Sequence, residues 1–236
     1  MSNVIEIFSS VQGEGKYVGC RQVFIRTADC NLNCAYCDTN FARADFCNVE
    51  TFAGSMTFDQ IKNPIGAEKV ADIVKNFMAE VPTHSVSFTG GEPLLHWQFI
   101  RDVAKLIDAK IFLETNGTLF NELAKIIDAV DIISMDIKMP SVMGNNFEKH
   151  REFLKIARAK DLYVKIVISA ETSLQEFDAA LELIPPEILL ILQPVTPVKN
   201  VGAISARQIL ELQARALRKI KNVLVIPQTH RLINIL

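Results

Sequence analysis

The sequence predicts an α/β fold in the form of an incomplete (β/α) barrel with about six to seven parallel strands. From about residue 68 onward, short apolar runs alternate with stretches in which apolar residues recur at helical spacing. Repeated strand–helix units favour parallel strands joined by right-handed crossovers. A complete barrel of eight units typically needs about 250 residues. This chain has 236 residues and uses roughly the first 65 for one strand and a long irregular stretch, so we expect an incomplete barrel.

The elements follow one another in a regular order, beginning with the strand QVFIRT at residues 22–27. Helices are predicted where apolar residues recur at helical spacing, over 69–80, 96–109, 119–130, 147–160, 173–184 and 205–220. Each helix is followed by a short apolar run typical of a buried strand, in turn HSVSF, KIFLE, DIISMD, LYVKIVIS, EILLILQ and NVLVIPQ. Together these runs give about seven strands.

We expect a single domain over residues 1–236, because the sequence contains no low-complexity segment, internal repeat or flexible linker. Apolar residues make up 49% and charged residues 22% of the chain, which is close to ordinary globular composition and allows a sizeable core. Residues 38–66, with Gly54, Asn63, Pro64 and Gly66, are interpreted as an inserted irregular segment rather than a second domain.

Charge and hydropathy argue against several classes of protein. The formal net charge is −2 without a basic block, so no nucleic-acid partner is expected. The start, MSNVIEIFSS, lacks the basic region of a signal peptide, and the longest apolar run, EILLILQPV, is too short to cross a bilayer, so no membrane partner is expected. Five cysteines without a secretory signal favour the cytoplasm, where clustered cysteines are more often metal ligands than disulfides.

Polar residues and glycines follow most of the predicted strands. These segments are CNLNCAYC after QVFIRT, TGGEP after HSVSF, ETNGT at the end of the next strand, then MDIKMPS and LQP. Because active sites of parallel α/β folds form at the carboxyl ends of the strands, we expect these segments to meet at one rim.

Three cysteines, Cys30, Cys34 and Cys37, lie within eight positions. A structural zinc site prefers four closed ligands, and the fourth here would have to be Cys20, Cys47 or a distant histidine. Three thiolates can instead hold an iron–sulfur cube and leave one iron open. The cluster is the favoured interpretation and zinc the alternative; Cys20 and Cys47 are interpreted as small apolar fillers.

The spacing CxxxCxΦC, in which the aromatic Φ is Tyr36, resembles the signature of radical S-adenosylmethionine enzymes. TGGEP resembles the glycine-rich motif of that superfamily, where glycines permit a close approach of backbone to ligand. The resemblance implies a barrel of the radical S-adenosylmethionine type, a 4Fe-4S cluster and S-adenosylmethionine as cofactors, and an electron donor such as flavodoxin or ferredoxin.

Further segments narrow the resemblance: EIFSSVQGEGKYVG, FIRTADCNLNCAYCDT, TGGEP, ETNGT, LQP and PQTH are similar to those of the 7-carboxy-7-deazaguanine synthase family. They extend from about residue 6 to about residue 230. The resemblance implies ring contraction of 6-carboxy-5,6,7,8-tetrahydropterin to 7-carboxy-7-deazaguanine with loss of ammonia, on the pathway to queuosine. It also implies a homodimer, a shortened barrel and the use of Mg²⁺.

The resemblance also implies site residues. It places the cluster on Cys30, Cys34 and Cys37, Mg²⁺ on Thr39 and a catalytic role on Glu114. Substrate contacts are expected at Val11, Gln12, Gly13, Arg26, Thr89, Gln193 and His230. Contacts with S-adenosylmethionine are expected at Tyr36, Asp38, Gly90, Gly91, Glu92, Ser134, Asp136 and Lys138.

Several of these residues have other interpretations. Arg26 can form a charge-assisted pair with the pterin carboxylate, or only a surface ion pair. Thr39 offers the hard oxygen that Mg²⁺ prefers, but it can also cap a helix. Glu114 can serve as a cap, and His230 can simply be satisfied within the fold. Many relatives carry Ser–Pro–Lys where this chain has residues 136–138, so the contacts made there stay open.

Two other functions remain as alternatives. A glycyl-radical-enzyme activase would use the same cofactor, although QGEG and the Asp–Thr pair after Cys37 favour the pterin enzyme. A non-enzymatic zinc-binding module would hold one zinc ion instead of about four irons, which metal analysis distinguishes.

Overall fold

The computed structural model describes residues 1–34, 37, 40–197 and 202–236. The strands are β1 Val4–Val11, β2 Arg21–Thr27, β3 Phe46–Glu50, β4 Phe58–Lys62, β5 Ser85–Gly90, β6 Ile111–Thr115, β7 Ile132–Asp136, β8 Asp161–Ile168, β9 Leu189–Pro194 and β10 Val223–Val225. The α-helices are α1 Ala67–Glu80, α2 Trp97–Ala104, α3 Phe120–Ile126, α4 Pro140–Met143, α5 Phe147–Ala157, α6 Leu174–Leu181, α7 Ala206–Leu217 and α8 Thr229–Leu232.

These ten strands form one sheet in the order β10-β9-β8-β7-β6-β5-β2-β1-β3-β4. The seven strands from β10 to β2 are all parallel, which confirms the predicted incomplete α/β barrel. β1 is antiparallel to β2, and β3 is parallel to β1 and antiparallel to β4. Among the described residues no pairing joins β10 to β4, so the sheet is not closed.

The first third of the chain differs from expectation. The sequence predicted one strand there, and the structure has four. β1 was missed because Glu6 interrupts its apolar run, although the strand is buried along much of its length. The segment 38–66 is not irregular throughout, because β3 and β4 pair within it as an antiparallel hairpin. β4 is half exposed at the edge of the sheet and has few apolar residues to reveal it.

The predicted helices all occur between the parallel strands, but five of the six end earlier than expected, α2 and α3 by the most. α2 ends at Ala104 and α3 at Ile126, although apolar residues continue at helical spacing beyond both ends. Ile107, for example, is buried although it lies beyond both α2 and the turn that follows it. Periodicity reports which side chains face the core, and it does not report whether the backbone there is still helical.

The sheet is strongly curved, as contacts across its concave face show. Glu14, just beyond β1, forms an ion pair with Lys165 on β8. These strands are five places apart in the sheet, which would separate them by about 24 Å if the sheet were flat. The turn at Gly15–Tyr17 therefore lies inside the curve, and Tyr17 packs there against Phe112 and Tyr163.

The opposite face of the sheet carries the main core, in which the strands pack against the helices. On α1, for example, Val70, Val74 and Phe77 are buried while the remaining face is solvated. No described helix has the length and apolar character that would let it cross a bilayer.

Truncating a leucine in this core should be costly. We expect Leu113→Ala on β6 to lower the free energy of unfolding by about 2–5 kcal/mol, because Leu113 is fully buried and its removal leaves a cavity. Leu210→Ala on α7 is the matched control: that side chain is 63% exposed, and its loss should change stability by no more than about 0.5 kcal/mol. Urea unfolding of both variants measures the difference, and equal effects would contradict the burial described here.

Candidate active site

A cavity of about 650 Å³ lies where the carboxyl ends of the parallel strands meet. It brings together most of the residues predicted for the site. Those that line it are Val11, Gln12, Gly13, Arg26, Cys30, Cys34, Cys37, Thr89, Gly90, Gly91, Glu114, Ser134, Asp136, Lys138, Gln193 and His230. Tyr36, Asp38 and Thr39 lie outside the described residues. Glu92 is the one described member of the predicted set that does not line the cavity.

The three thiols lie on the loop that follows β2. Cys30, Cys34 and Cys37 are each partly exposed, line the cavity and form no disulfide. Burial raises the pKa of the Cys30 thiol and raises that of Cys34 to about 11. The protein alone therefore holds these two groups as neutral thiols, and a metal that binds their thiolates has to displace the protons.

Side-chain hydrogen bonds join this loop to the segment that follows β6. Asn116 Nδ2 donates to Asn31 Oδ1 at 2.9 Å, and Asn31 Nδ2 donates to Thr118 Oγ1 at 2.8 Å. Thr118 Oγ1 in turn donates to Asn116 Oδ1 at 2.6 Å, which completes a closed set of three side chains. The ETNGT segment thus holds the cysteine loop in place as well as lining the cavity.

The TGGEP segment is shaped by its glycines. Gly90 has φ of +113°, a conformation that L side chains rarely adopt. At Gly91 a Cβ would overlap the backbone of Asp29, next to Cys30. The segment therefore packs directly against the beginning of the cysteine loop, which is the close backbone approach expected from the sequence.

Glu92 lies behind the rim as a buried anchor. It is 0% exposed, and its carboxylate accepts hydrogen bonds from Leu94 N, Thr115 Oγ1 and Asn116 N at 2.8–3.1 Å. Burial raises the pKa of Glu92 to about 7, against the opposing effect of these hydrogen bonds. Glu92 therefore has no exposed surface with which to make the predicted contact with S-adenosylmethionine. Its side chain instead joins the end of β5 to the end of β6.

Glu114 is held from two sides within the cavity. Gln12 Nε2 donates to its Oε1 at 2.8 Å, and Thr89 Oγ1 donates to its Oε2 at 2.9 Å. Gln12 Nε2 also donates to Gln22 Oε1 at 3.0 Å beneath the cavity. The three predicted residues Gln12, Thr89 and Glu114 are therefore one hydrogen-bonded group that fixes an acceptor carboxylate.

A buried charge network lines the neighbouring wall. Lys165 forms an ion pair with Glu14, and Lys165 Nζ lies 3.8 Å from Asp136 Oδ2. Lys138 Nζ lies 2.7 Å from the same oxygen. Gln228 Nε2 also donates to Glu14 Oε1 at 2.8 Å. Burial opposes ionisation of Glu14, but Lys165 outweighs it and lowers the pKa of Glu14 to about 2.

The sequence analysis did not assign Glu14, Lys165 or Gln228 to the site. Lys165 carried a usable signal, since it interrupts the apolar strand LYVKIVIS and a buried lysine requires a partner. Glu14 belongs to the QGEG segment, which was recognised without a role for this residue. Gln228 belongs to the PQTH segment, which was likewise recognised without a role for this residue, and only the fold brings it to Glu14.

Two buried acceptors in the cavity wall have no hydrogen-bond donor among the described residues: Asp136 Oδ1 and Gln193 Oε1. A buried acceptor without a partner is costly, and such groups commonly await a ligand, ion or water. Both residues line the cavity, so the wall suits a ligand that carries N–H donors.

Arg26 and His230 were each predicted with two interpretations. Arg26 lines the cavity and also forms an ion pair with Glu6, at 2.5 Å from Nε to Oε1. His230 lies on α8 so close to Gly13 that a Cβ on Gly13 would clash with the imidazole. Thr229 N donates to Gly13 O at 2.9 Å, which fixes α8 over the QGEG segment.

Comparison with known proteins agrees with this geometry. The radical SAM superfamily model matches residues 24–184. A 7-carboxy-7-deazaguanine synthase from Geobacter sulfurreducens is 42% identical over 96% of this chain and 94% of the relative. The protein of that name from Methanocaldococcus jannaschii is 34% identical over 98% of this chain and 99% of the relative. The chain belongs to the 7-carboxy-7-deazaguanine synthase family, within the radical SAM superfamily.

A solved structure supports the fold. QueE from Escherichia coli matches with a TM-score of 0.61 over 97% of this chain and 94% of that one, at 18% identity. At this identity the match bears on the architecture alone, and it agrees with the open, mostly parallel sheet.

The residues present fit the 4Fe-4S cluster that membership of the superfamily implies. Cys30, Cys34 and Cys37 all line the cavity next to the acceptors and cations described above. Among the described side chains, no three histidine, cysteine or acidic residues converge on a single metal ion. A cube does not require such convergence, because each thiolate binds a different iron.

Removing the Glu92 anchor should destabilise the protein. Glu92→Ala leaves two backbone N–H groups and the Thr115 hydroxyl buried without an acceptor, at about 1–3 kcal/mol for each group. We expect the free energy of unfolding to fall by about 3 kcal/mol or more. The control is Glu80→Ala, at an exposed helix end, which should have little effect. Comparable losses in the two variants would show that Glu92 is not an anchor.

The Lys165–Glu14 pair gives a prediction with a defined pH dependence. Lys165→Met leaves Glu14 buried without its main cation and should cost about 3–5 kcal/mol of unfolding free energy near neutral pH. Lys165→Met combined with Glu14→Gln should recover most of that loss.

The sign of the pH effect follows from the lowered pKa of Glu14. The contribution of ionised Glu14 to the free energy of unfolding is complete above pH 4.5, the pKa of Glu14 in the unfolded chain. It is lost as the pH falls toward about 2, the pKa of Glu14 in the folded protein. The gap between wild type and Lys165→Met should therefore narrow over that interval in urea unfolding. A gap that stays constant, or a double variant no more stable than the single one, would contradict the pairing.

Proposed function

We propose that this protein catalyses the radical ring contraction of 6-carboxy-5,6,7,8-tetrahydropterin to 7-carboxy-7-deazaguanine with release of ammonia. The observation that carries the proposal is the 42% identity to a 7-carboxy-7-deazaguanine synthase over nearly the whole of both chains. The cavity supports it, because it gathers the three cysteines, Arg26 and a set of acceptor oxygens around one space.

The chain's own residues would divide the work as follows. Cys30, Cys34 and Cys37 would hold the 4Fe-4S cluster, which together with S-adenosylmethionine supplies a radical able to take hydrogen from the substrate. Arg26 would bind the pterin carboxylate through charge-assisted hydrogen bonds. Glu114, fixed by Gln12 and Thr89, would accept from the N–H groups of the pterin ring.

The remaining predicted contacts belong to the same proposal. Gln193 Oε1 and Asp136 Oδ1 would accept from ligand N–H groups, since neither has a donor among the described residues. Val11, Gly13 and His230 would border the substrate. The other predicted contacts with S-adenosylmethionine are Tyr36, Asp38, Gly90, Gly91, Ser134 and Lys138.

We extend the proposal to the setting of the reaction. The protein would act as a single cytoplasmic domain in the queuosine or a related deazapurine pathway, which serves tRNA modification. None of the five cysteines forms a disulfide, which suits a reducing compartment. A homodimer, a flavodoxin or ferredoxin as electron donor, and Mg²⁺ at Thr39 are carried over from the family resemblance.

An anaerobic assay with reconstituted protein tests the function. We expect turnover of 6-carboxytetrahydropterin by wild type with dithionite, S-adenosylmethionine and Mg²⁺, and a lower rate when Mg²⁺ is omitted. Ala at Cys30, Cys34 or Cys37 should abolish turnover and lower the iron content. Cys20→Ala should leave both intact, since Cys20 does not line the cavity.

The outcomes separate the proposal from its alternatives. One zinc and no iron in the purified protein would favour a zinc-binding module. A full iron cluster without turnover of the pterin would retain the radical chemistry and exclude this substrate, as for an activase of another enzyme. Loss of the cluster from Cys47→Ala would reveal a fourth protein ligand and contradict the open iron.

A further inference from the structure

Glu6 and Arg26 are cross-strand neighbours that both line the cavity. The antiparallel register of β1 and β2 places Glu6 beside Arg26, and Phe8 beside Phe24. An irregularity between Val4 and Glu6 precedes this register. Because a shift of one residue would turn every side chain of β1 to the other face, the register decides that Glu6 meets Arg26 inside the cavity.

The surroundings of Arg26 fix the plane of its guanidinium group. Glu6 Oε1 accepts from Arg26 Nε at 2.5 Å. The Phe8 ring lies 5.6 Å from Arg26 Cζ, and it stacks in turn on Phe24 with 5.0 Å between the ring centroids. A carboxylate at Nε and an aromatic ring against the face together restrict rotation of the group.

The same contacts leave the end of the guanidinium available. No hydrogen bond to the terminal nitrogens Nη1 and Nη2 is present among the described residues. A guanidinium can bind a carboxylate through two parallel N–H···O bonds, and the two terminal nitrogens form one such fork. Glu6 therefore occupies one edge of Arg26, and a second carboxylate can still bind at the other.

We propose that Glu6 is a positioning residue, which orients Arg26 toward the substrate carboxylate and so sets the preference for a carboxylated pterin. This inference rests on the proposed function. In this role Glu6 does more than form an ion pair that stabilises the fold. Without Glu6 the guanidinium of Arg26 remains in the cavity, but its two terminal nitrogens are no longer held at a fixed angle. A reacting carbon displaced by about 1 Å can lose on the order of a hundredfold in rate.

The test compares Glu6→Ala, Glu6→Gln and the matched control Ser9→Ala. Ser9 Oγ accepts from the Nε of Arg21 at 3.1 Å on the same two strands, but neither residue lines the cavity. Ser9→Ala therefore removes an acceptor from an arginine Nε without altering the site. Glu6→Gln keeps an oxygen acceptor for Arg26 and removes only the charge.

Two measurements are made on each protein. Fluorescence titration gives the dissociation constants of 6-carboxypterin and of pterin, which differ only in the carboxylate. Anaerobic turnover of 6-carboxytetrahydropterin gives kcat and KM separately. The binding measurement does not depend on the radical chemistry, so it remains informative in a variant that cannot turn over.

We expect Glu6→Ala to weaken binding of 6-carboxypterin by about tenfold or more and to leave binding of pterin unchanged. The reason is that Arg26, once it is no longer aligned, loses a charge-assisted hydrogen bond to the carboxylate of 6-carboxypterin. In turnover, KM should rise and kcat should fall. Glu6→Gln should be intermediate in both measurements, and Ser9→Ala should behave as wild type.

Two results would overturn the inference. If Glu6→Ala binds 6-carboxypterin as tightly as wild type or more tightly, Glu6 does not position the fork, and tighter binding would show that it repels the substrate carboxylate instead. If Ser9→Ala causes the same loss, the effect comes from the strand pair and not from the cavity. Failure of the proposed function is distinct, because wild type itself would then show no turnover and no preference for 6-carboxypterin over pterin.

Discussion

The ion pair between Lys165 and Glu14 is the constraint on which the rest of the site depends. It joins the turn after β1 to a strand five places away, and the turn can lie inside the curve of the sheet only if its charge is matched there. An unpaired carboxylate in that position would be strongly unfavourable. Gln12, Gly13 and Tyr17 lie on either side of Glu14 in the same turn, and each adds contacts of its own to the cavity wall or the concave face.

The parallel strands were predictable from sequence because both of their faces are buried. Their apolar runs are therefore nearly continuous, and the helices between them repeat at clear spacing. β1 and the β3–β4 hairpin were missed because their patterns are broken by charge or exposure, as Glu6 and the half-exposed β4 show. Pairing with β2 makes Glu6 acceptable in a strand, and no local pattern reveals a partner supplied by tertiary structure.

The residues of the candidate site likewise differ in how far the sequence alone reveals them. Cys30 and the other two cysteines were found because their spacing along the chain identifies them, whereas Gly91 and Gln12 were assigned because their segments resemble those of the family. Lys165 lies outside those segments and was not assigned, because its place in the cavity depends on a contact over about 150 positions with Glu14. Gln228 and Glu14 lie inside such segments, but their contact over about 210 positions is visible only in the fold. The motif residue Glu92 was assigned to the cofactor although its donors turn it away from the cavity. A motif identifies a functional segment more reliably than it identifies the direction of each side chain.

The charges of the cavity suggest how it can receive several ligands together. Among its described lining residues there are four acidic side chains (Glu6, Glu14, Glu114 and Asp136) and four lysine or arginine side chains (Arg26, Lys138, Lys165 and Arg231). Balanced charge does not draw in ions of one sign, so selection has to come from local geometry. Glu14 and Lys165 satisfy each other, whereas Asp136 Oδ1 and the fork of Arg26 keep an acceptor and two donors available. The wall thus offers an acceptor site for ligand N–H groups and a donor site for a carboxylate within one nearly neutral cavity.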